Sequence, residues 1–264
     1  MKAARYYGPG DVRVEKIAEP EAEAGQVKVK IAWNGICGSD LHAYLVHLTK
    51  PDDLAAQTLP FTLGHEFSGT IVDIGDGIDG KFKVGQHVVM EWEDREEGSP
   101  IEVGAMIEPL AVAWHAMKRG GFKDGQSVLV LGAGPIGLFL LKILRHEGHK
   151  WGSVDIAFDT TGIQAAVDPA LKSIRPHGTF VNVAIWEQKP IFDMNLVVLR
   201  ELTVTGSVVY HEDHAELLGA VAAGKLQGLE DLVTRKIALE DVVNKGIKAL
   251  INEKDKQIKI LVHP

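Results

Sequence analysis

Over Val27–Trp33 (VKVKIAW) apolar side chains alternate with lysine, the period-two pattern of a strand with one face buried. Phe67–Ile74 and Gln86–Val89 repeat it, with the turn-rich DGIDG between them. The first ninety or so residues therefore predict a small β-barrel or sandwich. Glu91–Pro100 (EWEDREEGSP) is a run of charge that reads as a solvated loop. Beyond it the period changes. Glu108–Arg119 predicts a helix with Pro109 in its first turn, and Ser127–Leu131 a continuous apolar strand. Pro135–Arg145, apolar on nearly every side, predicts a buried helix. Two buried strands follow, Val154–Phe158 and Gly178–Val183, with a helix-like segment between them. Such alternation predicts a parallel sheet with helical crossovers. In the tail, Leu239, Val242, Val243, Ile247, Leu250 and Ile251 share one helical face, and Ile258–Val262 predicts a strand free to join either half.

Composition narrows the class. At 264 residues and 45% hydrophobic, the chain has material for one large domain or two ordinary ones. A net charge of -8 argues against nucleic acid or an anionic membrane as the main partner. One cysteine, Cys37, leaves no intrachain disulfide and no four-cysteine structural zinc site. The start carries no apolar signal core, and the longest apolar stretch, Val128–Leu141, is broken by glycines and a proline. A cytoplasmic protein is the expectation.

Chemistry concentrates in three places. Cys37-Gly38-Ser39-Asp40-Leu41-His42 and, further on, Gly64-His65-Glu66 offer a thiolate, an imidazole and a carboxylate, with Glu108 as a second acid. These are proper zinc ligands, and a catalytic zinc keeps one position open. Each alone has a plainer reading: a lone cysteine is usually a small buried hydrophobe. The third place is Gly132-Ala133-Gly134-Pro135-Ile136-Gly137, a G-x-G-x-x-G between a predicted strand and a predicted helix, where a pyrophosphate could approach the backbone. Together they suggest zinc activating an alcohol and a nicotinamide accepting hydride, with Ser39 and His42 passing the proton outward. His211 and His214 form an HxxH with no third ligand beside them but Glu212 and Asp213, and the five tryptophans read as packing residues, Trp186 alone being placed where it could also border a substrate pocket.

The motifs GICGSDLH, LPFTLGHEFSGTIVDIG, IEPLAVAWHA, VLGAGPIG, DTTGIQAAVDPALKSIRPHGTFVNVAIWE and the tail from Leu239 run over almost the whole chain. In combination they resemble the medium-chain zinc alcohol dehydrogenases, in the (R,R)-butanediol and sorbitol dehydrogenase branch. The resemblance implies an α/β plus β architecture: a GroES-like catalytic domain with an inserted, truncated Rossmann domain. Residues 1–106 would form the catalytic domain (truncated after about 91), 107–234 the dinucleotide-binding domain (truncated after about 150), and 235–264 the return to the catalytic domain. It implies one catalytic zinc on Cys37 and His65 with Glu66 or Glu108 as the acidic ligand, no structural zinc, and NAD(H). Ser39 and His42 would be the proton relay and Asp40 the acid that orients His65. Gly132, Gly134, Pro135, Ile136 and Gly137 would hold the pyrophosphate, and Val183, Ala184 and Ile185 the nicotinamide. The implied partners are a small alcohol or ketone and further copies of the chain, as a homodimer or homotetramer, with no nucleic acid and no membrane.

Two segments of the family pattern are missing, one after Val89-Met90-Glu91 and one after the first Rossmann helix. By spacing alone Asp159 would be the ribose-binding acid. The family pattern instead makes VDIAFDTTG the fourth strand, so the sheet starts at its first strand with the adenosine side open. If about 150 Å² of the Pro135–Arg145 helix stayed wet, the loss would be about 4 kcal/mol at ~25 cal/mol/Å², a large part of a typical 5–15 kcal/mol. Weak dinucleotide binding and low stability are expected. The alternative to an active dehydrogenase is a non-catalytic remnant that binds zinc but little or no dinucleotide.

Overall fold

β-Branched and aromatic residues in alternation build most of the first ninety residues into strands. The computed structural model describes residues 1–46, 59–78, 80–90, 101–144 and 154–264. In chain order these form β1 (Lys2–Gly8), β2 (Asp11–Lys16), β3 (Val27–Gly35), α1 (Gly38–Leu45), β4 (Phe61–Thr62), β5 (Glu66–Ile74) and β6 (His87–Val89). Next come α2 (Ile101–Gly104), α3 (Ile107–Arg119), β7 (Val128–Leu131), α4 (Pro135–Leu144), β8 (Val154–Asp159), α5 (Gln164–Ser173) and β9 (Ile174–Asn182). The chain continues with α6 (Met194–Leu199), β10 (Thr203–Gly206), α7 (His214–Ala222), β11 (Val233–Ala238), α8 (Lys248–Asn252) and β12 (Lys259–His263). The Glu91–Pro100 run lies outside the described residues.

Contacts divide the chain into two units: residues 1–108 with 228–264, and residues 109–227. The first unit holds two sheets, β2-β1-β4 and β11-β12-β3-β5-β6. The tail joins this unit: β12 runs parallel to β11 and antiparallel to β3. Tyr6, Val12, Ile36, Ile237, Ile247 and Ile260 form its buried core. Before β12 the expected helix is only partly α-helical. A 3-10 turn (Leu239–Asp241) and a π-helical turn (Val242–Ile247) precede α8. The apolar face survives, with Val242, Ile247 and Leu250 buried, because packing on the sheet sets the path more than backbone propensity does.

The second unit is a four-stranded parallel sheet in the order β10-β9-β8-β7. Among the described residues β7 pairs only with β8, so it is an edge. Its four apolar side chains are accordingly only half-buried. Helix α4 buries Phe139, Leu140, Ile143 and Leu144 and leaves Leu141 43% exposed. The core beside β8 and β9 consists of Ala157, Val167, Leu171, Ile174, Phe180 and Leu202.

Candidate active site

Cys37 follows β3 and is the N-cap of α1. Asp40, at the third helical position, turns its carboxylate back, and Oδ2 accepts the Cys37 N–H at 2.9 Å. A carboxylate in the first turn of a helix can reach its own N-cap, and His65 lies near enough to act on Asp40 electrostatically. Burial raises the Asp40 carboxyl above its usual range, against the pull of the Cys37 N–H. Ser39, exposed, has its hydroxyl 3.4 Å from His65 Nε2. His42 lies one turn further along α1, on the same face as Ser39.

His65 and Glu66 stand where the chain enters β5. Glu66 pairs in register with Gly35 of β3, and any side chain at 35 would collide with the Glu66 carboxylate. Thus the sequence places a glycine where β3 must leave room for an acid. The Cys37 Sγ, a ring nitrogen of His65 and a carboxylate oxygen of Glu66 all lie within 4.8 Å of one another. Among the described residues this is the only such group of three, so Glu108, although buried, is not brought into it, and neither is the HxxH. Burial pushes the Cys37 thiol up to about 12; Glu66 acts in the same direction, and Lys259 and Ser39 oppose it. The donor set fits zinc: soft sulfur, imidazole and oxygen suit that ion, whose charge would offset the burial that disfavours the thiolate.

Lys259 was missed by the sequence reading. It is 1% exposed, and its ammonium donates to Glu66 Oε1 at 2.8 Å, Glu66 Oε2 at 2.6 Å and the Ile36 carbonyl at 3.3 Å. The available signal was its position inside the apolar strand IKILV, where an exposed lysine would break the pattern.

In the second unit, the G-x-G-x-x-G turn joins β7 to α4, with Pro135 opening the helix. Gly132 has φ 108°, open to glycine at little cost, and a Cβ there would meet Thr160. Gly137 lets α4 press on the turn, since a Cβ would strike the Gly132 carbonyl. At Gly134 a Cβ would meet nothing within 4 Å, which leaves the approach to the backbone open. Ile136 is half-buried beside it. Asp159, fully buried, accepts the Thr161 N–H at 2.8 Å, the Thr161 hydroxyl at 2.7 Å and the Gly162 N–H at 3.2 Å. It ties a turn and is not available to a ribose. Its own carbonyl accepts the Val183 and Ala184 N–H groups, and Ile185 is 83% exposed. Trp186 Nε1 donates to Asn182 Oδ1 at 2.9 Å, and its partly buried side chain packs against the core beside β8 and β9.

Residues 23–130 match the family profile for the alcohol dehydrogenase GroES-like domain, and residues 135–223 that for the zinc-binding dehydrogenases. The (R,R)-butanediol dehydrogenase of Neisseria gonorrhoeae is 32% identical over 354 aligned residues, covering 100% of this chain and 99% of the relative. That of Bacillus subtilis is 32% identical over 348, covering 100% of both. With 264 residues here against 354 aligned, at least 90 positions of the first relative have no counterpart. The crystal structure of 2R,3R-butanediol dehydrogenase from Bacillus subtilis superposes with a TM-score of 0.89 at 32% identity, covering 100% of this chain and 99% of that one. An acid, a thiol and an imidazole gathered at β3 and β5, a glycine turn after β7, and this breadth of likeness lead to one assignment: the chain belongs to the medium-chain zinc-dependent alcohol dehydrogenase family.

Proposed function

We propose that the chain oxidises a secondary alcohol, vicinal diol or polyol, resembling butane-2,3-diol or sorbitol, with NAD as the acceptor. The observation that carries this reading is the convergence of Cys37, His65 and Glu66 within 4.8 Å. Zinc, when bound, supplies Lewis acidity to an alcohol oxygen, and NAD supplies the hydride acceptor. Cys37 and His65 would be fixed ligands, with Glu66 as the acidic one. Asp40 steadies Cys37 through the α1 N-cap. Ser39, exposed and 3.4 Å from His65, would take the substrate proton toward solvent, with His42 one turn on as the second relay group. Gly132, Gly134, Pro135, Ile136 and Gly137 would hold the pyrophosphate, supported by the open space at Gly134. Val183, Ala184 and Ile185 would meet the nicotinamide.

The enzyme would work in the cytoplasm; no helix among the described residues is long and apolar enough to cross a membrane. Self-association through β10 is part of the proposal, supported by exposed Val204, Val208 and Val209. Zinc content, NAD affinity and NADH formation from butane-2,3-diol, all on one preparation, test the reading. Near-stoichiometric zinc, lost in Cys37→Ala and His65→Ala, with chelator-sensitive turnover, is expected. Undiminished zinc in those variants would overturn it. Stoichiometric zinc without NAD binding would assign the chain to the non-catalytic alternative.

A further inference from the structure

Among its described residues the first unit holds a packed core and, bordering it, a hollow. Tyr6, Val12, Ile237 and Ile260 belong to the packed core. Where β1 faces β3 and β5, a cavity of about 1000 Å³ remains. Ala3, Ala4, Ile31, Phe67, Val242 and Ile247 are among its walls, and Val72, 40% exposed, stands at its rim. That volume lies at the upper end of small-molecule sites. Walls from two sheets and the tail enclose the space on several sides, which suits a small molecule better than a protein surface. Charge decides the kind of molecule. Two of the lysines at the cavity, Lys2 and Lys28, are already paired with Glu240 and Glu19. The remaining charged side chains of the lining are one cation, Lys30, and two acids, Asp73 and the buried Asp40, a balance that does not favour an anion.

We propose that this cavity is a binding site for an uncharged, mainly hydrocarbon small molecule, separate from the Cys37–His65–Glu66 group. The proposal goes beyond the dehydrogenase reading and does not need it. Burial of apolar area drives the binding, so each added methylene should tighten it about fourfold.

The test titrates the intact protein with N-phenyl-1-naphthylamine, which is uncharged and fluoresces when removed from water. Its 8-sulfonate, an anion with the same skeleton, serves as the comparison. Saturable one-to-one binding of the amine is expected, at least tenfold tighter than that of the sulfonate. Ala4→Trp fills the cavity from β1 and should weaken the amine at least tenfold. Val72→Trp blocks the rim from an exposed position that does not threaten the fold, and should do the same. Non-saturating binding, several sites per chain, tighter binding of the sulfonate, or an unchanged affinity in folded Val72→Trp would each overturn the proposal.

Discussion

Removing the Lys259 ammonium tests whether the chemistry at Glu66 rests on a buried ion pair. Both side chains are almost fully buried, at 2% and 1% exposure, and both oxygens of Glu66 are engaged by Nζ. Lys259→Met keeps the aliphatic stem and leaves a carboxylate in a site closed to water. Breaking one partner of such a pair costs about 3–5 kcal/mol. For a domain of roughly 150 residues each kcal/mol moves Tm by about 2–4 °C, so a fall of about 6–20 °C is expected. The melt is followed by circular dichroism in chelator, so that no cation substitutes for the lost ammonium. Added zinc should narrow the difference if it binds the folded variant. The double variant Glu66→Leu with Lys259→Met removes both charges and should recover most of the loss, because an apolar pair in that space is close to neutral. A Lys259→Met protein melting within 2 °C of the parent in chelator would refute the reasoning.

Three further outcomes follow from the second unit. Gly134→Ala should leave stability within about 0.5 kcal/mol, since nothing lies within 4 Å of the added methyl, yet weaken NAD, as titration calorimetry would reveal. Gly137→Ala should instead lower the denaturation midpoint, because its methyl must displace the Gly132 carbonyl; equal midpoints for the two variants would contradict this. Asp155 accepts from the Ser127 N–H at 2.7 Å, the Ser127 hydroxyl at 2.6 Å and Arg175 Nε at 2.5 Å. Burial alone would raise its carboxyl, but these donors hold it below the usual range. Its contribution is therefore complete above the unfolded value of about 3.9 and disappears as pH falls through the lower folded value. Asp155→Asn should cost about 1–3 kcal/mol at pH 7, a gap that closes in acid and would stay constant with pH if the linkage were wrong.

The sequence carried the order of elements because each local pattern agrees with its surroundings. VKVKIAW is a strand in β3, and IEPLAVAWHAMKR is a helix from Ile107 to Arg119. The glycine turn was legible because its geometry is local: strand, turn and helix are contiguous. What was hidden is non-local. Lys259 reads as a surface lysine until Glu66, 193 residues earlier, is folded against it. Spacing alone would have made Asp159 a ribose acid, but the longer motif already put it at the end of a strand, and the adjoining Thr161-Gly162 turn takes its carboxylate. In the tail the apolar face was correct, while the 3-10 and π-helical turns came from packing against the first unit's sheet.

Among the described residues β7 stands at the border of its sheet, and this has a practical consequence. Val128–Leu131 is four aliphatic residues in a row, with no charge, proline or bulge. Natural sheets usually blunt such borders, since unpaired backbone groups invite a strand from another molecule. Solutions of this protein should therefore lose material faster as they are concentrated, and a lysine introduced at Val130 should lengthen their working life.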